Sequence, residues 1–362
     1  MVLSPPQPAL ELPDASRASR PSRRARVAQA LDSLGLIDRF LWLRGRLGLP
    51  LLTVLTYHRV ARRDDVGELD MGVAEVEPED FVQQLDMLKA HCSVVSMDEV
   101  RNHRRGRPLP KNAVMLAFDD GYMDNHDVAL PILKRAKLPA TFFIPTAFPD
   151  AGKLFWWDRI SLTMKRCQAT SIELTYPAPL RLFPRRDPEG ATRQICKIIK
   201  HVPGLDLTRA LEELERASGV HIGQAEERAL ANRTIMGWSK IKALRSAGMS
   251  VESHSHAHRV LGTLTPDEAT SDLRLSRSIL SETLGEPVHA VAYPVGYELT
   301  GPFRRVAHDA GFDLAFTNAT GLCTPKSDLW NLPRMSMDRL HVGALYKMRL
   351  LFGDRHHVAS AA

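Results

Sequence analysis

From residue 51 onward, short β-rich apolar runs alternate with helical stretches, and this alternation constrains the fold more than any other feature of the chain. The runs are LLTVLTYH, SVVS, AVMLAF, ATFFIP, MSVES, VHAVAY, FDLAFT and WNLPRMSM, each of strand length and rich in β-branched or aromatic residues. Between them lie segments such as PEDFVQQLDMLKAH, with Pro78 at its start, and TPDEATSDLRLSRSILSETLG, where Thr265 and Glu268 have capping-box spacing. Strand then helix, repeated about seven times, predicts an α/β protein with a parallel sheet. The order alone leaves a closed barrel and an open sheet as alternatives.

One interval breaks the rhythm. Residues 150–235 hold Pro-punctuated and basic pieces, YPAPLRLFPRRDPEG among them, and helical pieces around QICKIIK and RALEELERA, with little that reads as strand. We expect a largely helical insertion there. Residues 1–25 are rich in Pro, Ser and Arg without usable periodicity and read as a disordered tail. Residues 26–48 read as one amphipathic helix, with Val27, Ala30, Leu31, Leu34, Ile37 and Leu41 on one stripe. Residues 49–345 form the main domain, and 346–362 a C-terminal helix and tail.

The chain's 362 residues are enough to bury a substantial core, and 44% hydrophobic with 25% charged residues is the make-up of a globular domain. The net charge of +6 is uneven, because Arg17, Arg20, Arg23, Arg24 and Arg26 crowd the first 26 residues. No stacking motif or basic recognition helix accompanies them, which argues against a nucleic-acid partner. Cys92, Cys167, Cys196 and Cys323 form no C-x-x-C pair and read as scattered reduced thiols. The start of the chain lacks the basic, apolar and small-residue segments of a secretory signal, and no apolar run approaches the ~20 residues of a membrane span. A cytoplasmic protein is the expectation. Phe40, Trp42, Arg44 and Arg46 add a second option, peripheral contact with the inner membrane through residues 26–47, against packing of that helix on the main domain.

Two stretches carry chemistry. VMLAFDDGYMDN, residues 114–125, is an apolar strand that ends in Asp119, Asp120 and Gly121. Adjacent carboxylates repel, and burying both requires a cation or a shared proton. The carboxyl ends of parallel strands are also where ligands bind, although Asp-Gly is equally a turn signal. VESHSHAHRV, residues 251–260, places histidines at 254, 256 and 258. A continuing strand points all three to one face; a chain that coils after Ser253 brings His254 and His258 together and turns His256 away. One carboxylate with two imidazoles makes a facial triad with open positions, suited to a divalent metal accessible to water and substrate.

Taken together, the stretches resemble the polysaccharide deacetylase family, which shares the NodB homology domain and is also called carbohydrate esterase family 4. Its T-F-D-D-G motif is similar to AFDDG here, and its H-[ST]-x-x-H motif to His254–Ser255–His256–Ala257–His258. PATFFIPT and WSKIKALRSAGMSVESH also look like the family, and the resemblance covers about residues 51–340 apart from the insertion. It implies a distorted (β/α)7 barrel of NodB type. By the family pattern Asp120, His254 and His258 hold a divalent metal, zinc first, with cobalt, nickel or manganese as other occupants. Asp119 is then the general base, His256 a spacer, and Ser255 orients the loop through its hydroxyl.

The implied reaction is removal of N-acetyl groups from an amino sugar in a polysaccharide, oligosaccharide or glycolipid by activated water, with a backbone N–H near Val295 at the oxyanion. Two departures stand out. Where many members carry an Arg-containing R-P-P-Y-G motif, this chain reads AYPVG with Ala292, as one branch of the family does. Arg334, in LPRMS, is the candidate to supply the missing guanidinium, against a surface salt bridge. The general acid is also unmatched: His58, at the end of the first strand, is one candidate, and His341 lies beyond the last. Tyr293 is expected to line the sugar site or else to be a core residue; Trp156, Trp157 and Asp158 either stack on sugar or anchor the insertion. A catalytically inactive glycan-binding or scaffolding protein on the same fold is the contrasting expectation, and a hydrolase for another acyl group or ester a third.

Overall fold

The computed structural model describes residues 23–352 apart from 105 and 297. Eight strands form the main sheet: β1 (Leu52–Tyr57), β2 (Ser93–Val94), β3 (Ala113–Phe118), β4 (Thr141–Ile144), β5 (Ser250–Ser253), β6 (Ala290–Ala292), β7 (Leu314–Thr320) and β8 (Leu332–Ser336). Their order is β1-β8-β7-β6-β5-β4-β3-β2, and β1 also pairs with β3, so seven of the strands close into a parallel barrel. The closure is irregular. One side of β3 is shared, with Ala113 and Val114 paired to β2 and Ala117 and Phe118 paired to β4. The sequence left barrel and open sheet as alternatives; the β1–β3 ladder, from Leu52↔Ala113 to Tyr57↔Phe118, makes it a barrel.

Side chains alternate along each strand and sort the core into two layers. Val114, Leu116 and Phe118 of β3 pack outward with Phe142, Phe81 and the surrounding helices, where Phe118 stacks on Phe142 at 4.9 Å. Ala113, Met115 and Ala117 point inward and fill the barrel with Phe143, Phe316, Ala292 and Leu332. Asp119 continues the inward row, and Arg334 is in phase with inward Leu332. The fold therefore aims both at the barrel interior at its carboxyl end.

The expected single N-terminal helix is two, Arg23–Ser33 and Leu36–Leu47, because Gly35 takes φ 65° between them. Residues 23–25, expected in a disordered tail, belong to the first of these helices, and residues 1–22 lie outside the described residues. Ile37 and Leu41 of the second helix are buried, and the Asn112 side chain donates to the Leu41 carbonyl at 2.9 Å. At the other end of the chain, Gly343–Phe352 is helical, and Lys347 on it holds both Asp32 and Asp38 at 2.9 Å. Residues 353–362 fall outside the described residues.

The insertion lies between β4 and β5. It comprises helices Trp156–Arg166, Pro188–His201 and Leu207–Ser218 around their own apolar core, a fourth helix, Gln224–Thr234, whose Ala231 packs in a separate cluster with Leu69 and Leu162, and a short hairpin, Ile172–Leu174 with Leu180–Leu182. Its return segment is pinned beside the strand-end aspartates, where Met236 N–H donates to the Gly121 carbonyl at 3.0 Å.

Candidate metal centre

Every element of the site ends at the same mouth, because all the strands run parallel. β3 stops at Asp119, whose N–H donates to the Tyr57 carbonyl at 2.9 Å. Asp120 would face the outer helices if the strand continued. Instead it takes φ 70°, which swings its carboxylate back over the barrel, and Gly121 follows at φ 72°. A Cβ at Gly121 would stand 3.0 Å from Ile144 Cδ1, so backbone conformation and space both call for glycine there.

β5 ends at Ser253, whose hydroxyl bonds Ser276 on the outer helix Pro266–Leu284. His254 then points inward and the chain coils, with Ser255 at φ 66° and His258 at φ 51°. Hydrogen bonds from its own N–H groups to side chains hold the coil. Asp272 accepts the N–H groups of His256 and Ala257 at 2.8 and 3.0 Å, and Ser255 Oγ accepts that of His258 at 3.1 Å. His254 and His258 come together as a result, with ring centroids 4.8 Å apart. His256 turns out of the cluster, its Nδ1 on Thr146 Oγ1 at 2.8 Å.

Asp120, His254 and His258 are all buried and offer ligand atoms within 4.8 Å of one another. The Nε2 atoms of His254 and His258 stand 3.3 and 3.0 Å from Asp120 Oδ1. His254 Nδ1 sits 2.8 Å from the Ala292 carbonyl, which only accepts, so Nδ1 carries a hydrogen and Nε2 is the nitrogen directed at the carboxylate. Burial pushes the Asp120 carboxyl up, but the two imidazoles outweigh it and hold the group well below the usual carboxylate range. Burial also lowers His258, even with Asp120 beside it. Asp120 Oδ1 is a buried oxygen with no well-formed hydrogen bond among the described residues. An ionised carboxylate and two buried imidazoles converging on one point form a cluster capable of binding a divalent metal.

Asp119 is handled differently. Arg334, wholly buried, donates from both terminal nitrogens to the two Asp119 oxygens at 2.8 Å each, and its Nε donates to the Thr317 carbonyl at 2.9 Å. Burial raises the Asp119 carboxyl; Arg334 first and His254 next overcome this, so it stays below its ordinary value. Arg334 thus reaches Asp119 from β8 and is no surface salt bridge. Asn318, which the sequence did not single out, accepts a further bond from the same guanidinium.

The remaining expectations divide. His58 ends β1 at the mouth, half-buried, and its charge bears on both Asp119 and Asp120. His341 is engaged by Asp338 in the turn after β8, at 2.9 Å. Val295 holds φ 56° in a turn that Gly296 N–H closes on the Tyr293 carbonyl at 3.1 Å, an uncommon conformation for a β-branched residue and a form of local strain. Tyr293 does not face a sugar site: its ring is buried and its hydroxyl donates to the Trp330 carbonyl at 2.9 Å. The aromatic pair that opens the insertion is an anchor. Trp157 stacks on Phe155 at 4.5 Å, packs on the His258 ring at 4.6 Å and donates from Nε1 to the Tyr122 hydroxyl at 2.7 Å. Tyr122 donates in turn to Asp158, which also accepts the Asp70 N–H at 2.9 Å.

Comparison with known proteins agrees with this geometry. The family model described as polysaccharide deacetylase matches residues 106–174 and 216–315, skipping the middle of the insertion. Curated relatives include the poly-beta-1,6-N-acetyl-D-glucosamine N-deacetylases of Staphylococcus epidermidis, 31% identical over 101 residues, and Staphylococcus aureus, 30% over 116. These matches cover 25% and 30% of this chain and span 35% and 40% of the staphylococcal proteins. Among solved structures, the Streptococcus pyogenes deacetylase PplD superposes with a TM-score of 0.54 at 18% identity, covering 83% of this chain and 98% of that one. IcaB from Ammonifex degensii gives 0.52 at 18%, with 83% and 97% covered, and both likenesses speak to the fold. The two matched stretches of the family model carry the Asp119–Asp120 turn and the His254–His258 loop, and the chain belongs to the polysaccharide deacetylase family.

Proposed function

We propose that this protein is a metal-dependent hydrolase that removes N-acetyl groups from an amino sugar within a polysaccharide, oligosaccharide or glycolipid. The observation that carries the reading is the pairing of a metal-binding cluster, Asp120, His254 and His258, with a separate buried carboxylate, Asp119, that Arg334 keeps ionised. Zinc suits two imidazoles and one carboxylate best, with cobalt, nickel or manganese as substitutes. A divalent ion held there supplies Lewis acidity and lowers the pKa of water. Asp119 takes the proton from the attacking water as its oxygen bonds the amide carbonyl carbon. The peptide N–H near Val295 donates to the oxyanion. His58 gives a proton to the amine as the C–N bond breaks, and acetate and a free amino sugar leave.

The contrasting reading, a glycan-binding protein without turnover, rests on the missing motif arginine and the unmatched general acid; Arg334 on Asp119 answers the first and supports turnover. The names of the staphylococcal relatives make β-1,6-linked N-acetylglucosamine oligomers the first substrate to try. We expect zinc- or cobalt-loaded protein to free acetate, chelator to stop it, and Asp119→Asn to stop it while the metal stays bound. Glycan binding without acetate from any acetylated glycan would favour the binding protein, and turnover surviving both treatments would remove the mechanism. We further propose a cytoplasmic location, with peripheral contact at the inner membrane as the second option. Free thiols at Cys92, Cys167, Cys196 and Cys323 suit a reducing compartment.

A further inference from the structure

The helix Leu36–Leu47 has two working faces. One, with Ile37 and Leu41, is buried against the domain, while the Arg44 Nε donates to Asn112 Oδ1 at 2.9 Å. The other meets solvent, and its composition is unlike that of an ordinary outer helix face. Leu34, Phe40, Trp42, Leu43, Leu47 and Leu49 are between 44% and 68% exposed, which gathers half of the large exposed apolar side chains among the described residues into 16 positions.

Its charge is one-sided. Arg23, Arg24, Arg26, Arg39 and Arg46 are exposed, with Arg46 lying over the Trp42 ring at 5.3 Å. Residues 23–49 include two acids, Asp32 and Asp38, and Lys347 bridges both. Exposed Lys89 and Lys111 flank the same end of the domain. Bulky aliphatic and aromatic residues interleaved with arginine, on a helix already satisfied on its other side, match a surface that lies in a lipid headgroup layer.

We propose that this face docks on an anionic lipid bilayer. The choice of lipid over another occupant rests on charge. A second copy would bring the same unopposed arginines against these, whereas an anionic surface complements them. The position of the face sets a direction as well. Trp42 and Arg46 border Ala90–Ser93, Lys111 and Asn112, where β2 and β3 begin. Asp119 ends β3 at its other end, about 20 Å away at about 3.3 Å per residue. Docking therefore turns the catalytic mouth away from the bilayer, toward chains of sugar standing off the surface rather than toward a headgroup in it. This orientation rests on the metal centre's location, and the docking itself does not.

Vesicle sedimentation of the full chain tests it without reference to turnover. Binding to phosphatidylcholine vesicles containing phosphatidylglycerol is expected to exceed binding to phosphatidylcholine alone by about tenfold or more and to fall as salt rises. Leu43→Glu with Leu47→Glu, and separately Arg39→Glu with Arg46→Glu, should each abolish it. Brominated lipid should quench Trp42, so the quenching is expected to drop in Trp42→Phe; Trp156 and Trp157 stand by the mouth, and Trp238 and Trp330 contribute equally to both proteins. Absent or charge-indifferent binding, or binding undiminished in both double variants, overturns the proposal. So does a dimer in sedimentation velocity that either double variant dissolves, which would assign the face to a second copy. Quenching undiminished by Trp42→Phe overturns the orientation.

Discussion

Arg334 is wholly buried, and its bidentate grip on Asp119 is the contact on which that carboxylate, buried in the barrel, depends. Breaking a buried pair leaves a charge uncompensated, at a cost of about 3–5 kcal/mol when one partner is removed. Arg334→Lys keeps a cation but loses the planar fork, so Asp119 is held by one bond and moves upward under the same burial. We expect the acid limb of the kcat/KM profile to shift to higher pH, and kcat to fall about 10–100-fold at neutral pH with metal content unchanged. Metal analysis beside the pH profile checks it. The sequence showed Arg334 as a candidate only, because its partner lies 215 positions away. One available signal was its phase: in Leu332–Ser336 the arginine shares a face with Leu332, and an arginine on the inward face of a barrel strand needs a buried anion. Tyr293 shows the opposite limit. An aromatic at a strand end reads the same whether it faces ligand or core, and its bond to the Trp330 carbonyl comes from a distant segment that no local pattern reports.

At the scale of the element, the metal loop is shaped less by its histidines than by the helix behind it. Asp272 receives two successive N–H groups of the loop, which fixes the turn that brings His258 beside His254. Asp272→Ala leaves those donors to water and frees the loop, and loss of such outer support costs about 10–100-fold in metal affinity. We expect zinc affinity, read by competition with a chromogenic chelator, to weaken by that factor, with kcat at saturating zinc close to wild type. Asp272 was illegible beforehand. The helix was predicted by its capping box at Thr265 and Glu268, and that box is present, but nothing in its spacing separates Asp272 from the acids that merely face solvent. The strands were readable for a plainer reason: β1, β3, β4 and β6 are short apolar runs buried on both faces throughout, as parallel strands covered by helices require. The break at Gly35 was not, since the apolar stripe runs on through it at helical spacing.

For the molecule as a whole, the insertion and the barrel meet at a buried carboxylate that works against the interface at neutral pH. Asp158 is completely buried between Tyr122 of the barrel and the Asp70 N–H, and burial pushes its carboxyl up to about 7, with Asp70 and Tyr122 bonds and nearby Arg59 only partly opposing. Between the unfolded value of about 4 and about 7, the folded protein holds a proton that the unfolded chain has released. Stability from this group is therefore complete at pH 4 and is lost as pH rises through 7. A shift of about three units corresponds to about 4 kcal/mol at most. Glu252, also pushed to about 7 by burial, adds a slope of the same sign, so wild type alone does not isolate Asp158. Asp158→Asn does. The amide loses one of the two bonds at every pH, a constant cost of about 1–3 kcal/mol, but it does not titrate. Urea unfolding of both proteins should show the variant less stable at pH 5 and gaining on wild type by about 2–4 kcal/mol by pH 8. A gap that stays constant across that range would mean that Asp158 is ionised throughout, and that the Arg59–Tyr122 contact at 4.9 Å, rather than a proton, balances the charge where the insertion joins the metal centre.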